Sequence, residues 1–169
     1  MVKSNSVKNK GETKMKIGIL FYSKTGHTLE AATAIAEGIK NKGVEVDLIN
    51  VNNFEISTLK NYDRIIVGSP CWAGVVSKDG VASPMKKALK KIPTDMFKGK
   101  TGGVFSVYAL SGAKNTINTL SKILKNKGCK AVIVGPIAKA GTPLSITKGS
   151  SVSKEDLKLY KKFGKTFIQ

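Results

Sequence analysis

Within six residues, Ser23-Lys24-Thr25-Gly26-His27-Thr28, the chain gathers three hydroxyls, a lysine, a glycine and a histidine. The stretch follows an apolar run, Ile17-Gly18-Ile19-Leu20, and opens a helical pattern. A buried strand that turns into a helix N-terminus presents unpaired backbone N–H groups and a partial positive charge, and the two together bind anions. Ser23, Thr25 and Thr28 add hydroxyl donors. Gly26 lets the backbone approach a ligand or take a positive φ. Lys24 adds positive potential from a solvated side chain, and His27 is expected to contribute through its backbone N–H. The turn is not GxxxxGK[ST], because Lys24 precedes the glycine, and it is not GxGxxG, because Gly26 stands alone. A nucleoside triphosphate and a dinucleotide are therefore disfavoured, and a single terminal phosphate fits.

The elements that must position this turn alternate in type. Residues 16–22, 44–51, 63–68, 101–107 and 131–137 are apolar enough for strands of a parallel sheet. Helices are expected over 28–42, from Pro84 to just before Pro93, over 116–127, and from Ser153 onward. Each carries an apolar stripe at helical spacing: Leu29, Ala32, Ile35, Ala36 and Ile39 in the first, and Leu157, Tyr160, Phe163 and Phe167 in the last. Gly43 and Gly128 are helix stops, Pro84 suits a first helical position, and Ser153 with Asp156 forms a capping pair. Residues 69–83, 108–115 and 138–152 read as loops. This alternation predicts an α/β fold, a three-layer, doubly wound, five-stranded parallel sheet of order 2-1-3-4-5. Ligands of such sheets bind outside the carboxyl ends of the strands, where strands one and three diverge. That brings residues 23–28, 69–74 and 108–112 together, and the small-residue stretches at 73–83 and 138–152 can border a pocket.

A chain of 169 residues with 41% apolar content is expected to form one domain, over residues 16–169, with residues 1–15 as a disordered basic tail. The two cysteines, Cys71 and Cys129, lie far apart and outside any metal-ligand spacing. No metal site and no disulfide framework is expected, and the reading is a reducing, cytoplasmic compartment. No apolar run approaches the roughly 18 residues of a membrane span, and no apolar segment follows the basic N-terminus as a signal peptide requires. Lysine and arginine number 29 against 11 acidic residues, a net charge of +18, and Arg64 is the single arginine. Scattered lysines without arginine forks or a recognition motif argue against specific nucleic-acid binding. Non-specific adhesion to polyanions at low salt is expected.

With the turn goes a second loop, Gly68-Ser69-Pro70-Cys71-Trp72-Ala73-Gly74. Tyr22-Ser23-Lys24-Thr25-Gly26-His27-Thr28 matches the [S/T]-x-T-G-x-T phosphate loop of the flavodoxins, and the second loop resembles the segment with which that family covers one face of a flavin ring. The resemblance implies a flavodoxin-like fold, bound FMN and a redox role. It implies that Ser23, Thr25, Gly26, His27 and Thr28 hold the FMN phosphate, with Lys24 beside them. Ser69, Pro70, Trp72, Ala73 and Gly74 would line the ring, Cys71 acting as a small apolar filler. Trp72 would stack, and Gly74 would permit the peptide rearrangement the family uses at flavin N5. The third loop, Ser106-Val107-Tyr108-Ala109-Leu110-Ser111-Gly112, departs from the family by lacking an acidic residue. Tyr108 and Leu110 both stand as candidates for the other ring face, with Ser111 and Gly112 next to them.

What the resemblance implies for function is an electron carrier, a monomer or weak dimer, shuttling electrons between proteins. No acid–base constellation demands catalysis, and no residue is assigned a catalytic role. The alternative is an FMN-dependent NAD(P)H:quinone oxidoreductase; a third reading is a ligand-free module that works through its basic surface. Flavodoxins as a family are acidic, so the lysine-rich surface carries two expectations. The second one-electron reduction should be less negative than is usual in the family, within the limits of screening. The redox partners, a ferredoxin-like protein or a reductase, should be acidic.

Overall fold

The computed structural model describes residues 14–72, 78–142 and 147–169. Most of the tail, and Ala73 and Gly74, lie outside the described residues. The strands are β1 (Lys16–Phe21), β2 (Glu45–Asn50), β3 (Arg64–Cys71), β4 (Thr101–Tyr108) and β5 (Ala131–Lys139). The helices are α1 (His27–Lys40), α2 (Ser83–Lys91), α3 (Ala113–Asn126) and α4 (Lys154–Phe167), with a 3-10 turn at Ile56–Asn61. All pairings are parallel, and the order is β2-β1-β3-β4-β5. This is the three-layer doubly wound sheet that the sequence pattern predicts.

Alternation along β1 assigns its two faces. Ile17, Ile19 and Phe21 enter the layer under α1 and α4, with Ile35, Ile39 and Tyr160. Leu20 enters the opposite layer with Val67, Met85, Leu89 and Leu120. The α1–α4 seam is closed backbone to backbone. A Cβ on Gly38 would lie 2.0 Å from the Lys161 carbonyl oxygen, and one on Gly164 would lie 2.1 Å from that of Ile35. A chain of buried hydrogen bonds crosses the sheet to the start of α2. Tyr160 donates to the Ser106 carbonyl at 2.7 Å, the Ser106 hydroxyl donates to the Ser69 carbonyl at 2.9 Å, and Ala82 N–H donates to the Ser69 hydroxyl at 3.1 Å.

Several boundaries and faces differ from the sequence reading. Strand β3 runs through Ser69, Pro70 and Cys71, which pair with Ser106, Val107 and Tyr108 of β4. Its pairing with β1 ends at Gly68, so Pro70 sits where one side of the strand is already free, a position that tolerates a residue without an N–H. Helix α3 begins at Ala113 rather than at residue 116. Leu29, expected on the inner stripe of α1, is 41% exposed and lines the groove between α1 and α4 instead. Ser153 caps α4 as expected, accepting from Asp156 N–H at 3.0 Å.

Cys129 is buried at the start of β5, and burial pushes its thiol up to about 11. A thiol reagent at pH 8 attacks thiolate. The expected result is one rapidly alkylated cysteine, Cys71, and a second that reacts only on unfolding, as read by mass spectrometry in and out of denaturant.

Candidate functional site

Parallel strands place the β1–α1, β3–α2, β4–α3 and β5–α4 connections at one edge of the sheet. The first is built by its glycine. Gly26 takes φ +100° and a Cβ there would meet nothing within 4 Å, so the position excludes other residues by conformation and not by space. The left-handed turn aims the N-terminus of α1 inward. No side chain caps it from Gly26; instead Ser23 folds back, its hydroxyl accepting from Gly26 N–H at 3.1 Å and Leu29 N–H at 3.3 Å. The N–H groups of Thr25, His27 and Thr28 meet no acceptor among the described residues.

These groups border a cavity with parts of all four connections. Ser23, Thr25, His27 and Thr28 form one wall, Pro70, Cys71 and Trp72 another, Val107 and Ala109 a third, and Ala140, Gly141 and Thr142 the fourth. Lys24 reaches the rim and is exposed. The space is small, about 20 Å³. Trp72 holds it closed by packing edge-on against Tyr22, ring centres 5.7 Å apart, and the Trp72 indole N–H is buried with no partner. The Cys71 thiol donates to the Ser111 carbonyl at 3.2 Å and ties the second connection to the third. Trp72 N–H donates to the Gly80 carbonyl at 2.8 Å.

Six residues named from the sequence lie apart from this cavity. Ser69 is fully buried behind it, its hydroxyl engaged by Ala82. Gly26 borders the neighbouring groove between α1 and α4. Tyr108 and Leu110, together with Ser111 and Gly112, border a separate cavity of about 610 Å³ completed by Ala113, Lys114 and Ile137. Alternation explains the split, because Val107 and Ala109 face one side of the β4–α3 connection while Tyr108 and Leu110 face the other. Ala140, Gly141 and Thr142 were visible in the sequence only as part of a small-residue connection. Their signal is a run of small residues directly after a strand of the sheet.

His27 links the fourth connection to the first. The ring is 4% exposed, its Nε2 hydrogen-bonds the Lys148 carbonyl oxygen, and that contact assigns Nε2 as the donor. Its Nδ1 lies 3.5 Å from Glu30 Oε2, too long for a hydrogen bond, and has no other partner. Glu30 in turn accepts from Val152 N–H at 3.1 Å. His27 and Glu30 thus strap residues 148–152 to the first turn of α1. Removing the ring in His27→Ala deletes this part-buried hydrogen bond, at a cost of about 0.5–1.5 kcal/mol. Hydrogen exchange is expected to accelerate at 147–152 in that variant while β1 and β3 keep their protection.

Comparison with known proteins agrees with this geometry. The family model described as "Flavodoxin" matches residues 19–151. A flavodoxin from Clostridium saccharobutylicum is 34% identical over 121 residues, 71% of this chain and 72% of its own length. An NAD(P)H dehydrogenase (quinone) from Archaeoglobus fulgidus is 28% identical over 184 aligned positions, 89% of this chain and 94% of that protein. The crystal structure of oxidised flavodoxin from Bacillus cereus superposes with a TM-score of 0.70 at 24% identity, covering 90% of this chain and 97% of that one, a likeness of fold. A hydroxyl-rich, glycine-containing turn at the switch point of a 2-1-3-4-5 sheet, and a family match across most of the chain, lead to one assignment: the chain belongs to the flavodoxin family.

Proposed function

We propose that this flavodoxin holds the phosphate of FMN against residues 23–28 and its ring along the connections that carry Trp72 and residues 107–112. Flavodoxins bind FMN and pass electrons to redox partners, and the bound flavin supplies the redox chemistry. One observation carries the residue assignment: donors without acceptors converge on one cavity. They are the N–H groups at the start of α1 and the buried indole N–H of Trp72. An unpaired buried donor is costly, and a phosphomonoester with its polar tail supplies the missing acceptors. Thr25 and Thr28 add hydroxyls, and Lys24 adds positive potential at the rim. A cavity of about 20 Å³ is far smaller than a tricyclic ring. Ring binding therefore requires Trp72 to leave Tyr22, or the connection carrying Ala109 and Leu110 to move outward.

The lining offers no acid–base pair. The His27 ring is committed to Lys148, and the Ser23 hydroxyl to the α1 N-terminus. This supports a carrier over a stand-alone reductase. The likeness to a quinone reductase makes the competing reading specific, and one experiment separates them. The FMN-loaded protein is mixed with NAD(P)H and a soluble quinone. The expected result is no steady-state turnover until a flavodoxin reductase is added; turnover by the protein alone would favour the enzyme. Acidic redox partners are the second part of the proposal. Their electron-transfer rates should fall as salt rises, because oppositely charged surfaces attract over a range set by screening.

A further inference from the structure

Strand β5 is a free edge of the sheet, and it is unusual for one. Edge strands are normally blunted by charge, as β2 is by Glu45 and Asp47 at the other edge. Between Ala131 and Ala138, β5 carries no charge at all. Val134 is 58% exposed and Ile133 41%, on opposite faces of the strand. The strand's protection is confined to its second half, where Pro136 and a bulge opposite Phe105 interrupt the ladder. Ala131–Val134 thus present an uninterrupted apolar edge.

The surroundings of this edge are basic. Residues 80–142 contain twelve lysines and one acidic residue, Asp95. Lys130 and Lys139 flank the uncharged run Ala131–Ala138, both exposed. Beyond Val134, Ile137 borders the cavity of about 610 Å³ that Leu110, 70% exposed, and Lys114 share. An apolar path with lysines along it therefore leads from the free edge to the connections of the candidate site.

We propose that this edge docks an extended, acidic segment of a partner protein, which pairs with Ala131–Val134 as a sixth strand. The inference rests on the reading that the chain passes electrons to proteins, and it names where such a partner lies. Strand addition supplies main-chain hydrogen bonds, and alternate side chains give specificity. Apolar residues of the segment cover Ile133 and Val134, and its carboxylates meet Lys130 and Lys139. A second copy of this chain is a poor occupant, because it brings another net charge of +18 to the same contact. Nucleic acid is a poor occupant because the edge offers aliphatic side chains and no aromatic or arginine for stacking.

The test titrates isotope-labelled, FMN-loaded protein with a short capped peptide that alternates valine and aspartate, followed by backbone NMR. Flavin absorbance is recorded on each sample, so failure to bind FMN is seen separately from failure to bind peptide. Shifts are expected to centre on residues 131–134 and to weaken about threefold or more between low and physiological salt. Val134→Asp, at an exposed position, should weaken the peptide about tenfold while leaving the FMN titration unchanged. The proposal is overturned by shifts centred elsewhere, by equal response to a valine–lysine peptide, or by stronger competition from a DNA oligonucleotide for the same residues. A homodimer in sedimentation that Val134→Asp dissolves would overturn it as well.

Discussion

Gly164→Ala is expected to destabilise the fold by about 3 kcal/mol, a midpoint shift of roughly 6–12 °C for a domain of this size. The added methyl group would lie 2.1 Å from the Ile35 carbonyl oxygen, and the obstruction is backbone, which cannot rotate away. Gly38→Ala meets the Lys161 carbonyl oxygen at 2.0 Å and should behave alike. Either substitution forces α1 and α4 apart along a seam that also buries Ala31, Ile35 and Tyr160. Helix propensity alone would predict the opposite sign, since alanine favours a helix over glycine by about 1 kcal/mol. Urea unfolding of both variants, read by circular dichroism, decides between the two. A gain in stability would mean that the helices have room to spare.

The second large effect concerns the ligand. Replacing both Thr25 and Thr28 by valine keeps the side-chain shape and removes two hydroxyl donors. Each charge-assisted hydrogen bond to a phosphate contributes about 1.5–3 kcal/mol, so FMN affinity should fall about a hundredfold or more. Riboflavin, which lacks the phosphate, should bind the variant and the parent alike. Fluorescence quenching titrations with both ligands check the pair. An equal loss for the two flavins would mean that the valines had damaged the fold and not the phosphate site.

The charge takes on a different meaning once the lysines have places. Lys40, Lys90, Lys91, Lys125 and Lys165 occupy last helical turns, where the helix dipole favours cations. With parallel strands those turns lie at the amino edge of the sheet, opposite the candidate site, some 20 Å away by the length of a strand. That is about two screening lengths. Their influence on the second reduction of a bound flavin is therefore weak, and the expected shift depends on the few cations of the near edge, such as Lys24 and Lys114.

Much of this architecture was legible because it rests on periodicity. Buried strands of four to eight residues, amphipathic helices and glycine stops repeat without interruption from Lys16 to Phe167, and the sheet order follows from right-handed crossovers. Helix α2, Ser83–Lys91, lies within one residue of the reading at each end, since Pro84 and Pro93 constrain its limits. Strand ends were less legible. Ser69 to Cys71 looked like loop because hydroxyl and proline residues suggest turns, yet one partner strand is enough to hold them extended. The turn between β1 and α1 could be located because its hydroxyls and glycine adjoin a strand. Two features could not be read. One is the strap of His27 and Glu30 on residues 148–152, which joins groups more than a hundred positions apart. The other is the division of residues 107–112 between two cavities, which depends on the exact end of β4. Leu48 alternates with Val44 and Val46 in the sequence, but β2 is an edge strand and leaves it 40% exposed.

The claim that a phosphate turn and a flavin-lining loop form one site reduces to a comparison of two ligands. Apoprotein titrated with FMN and with riboflavin should take up one FMN per chain, with an affinity about a hundredfold or more above that for riboflavin. Trp72 fluorescence should change in both cases, as a flavin ring comes to lie beside the indole. Equal affinities for the two flavins, or no uptake of FMN with residues 23–28 intact, would contradict the account.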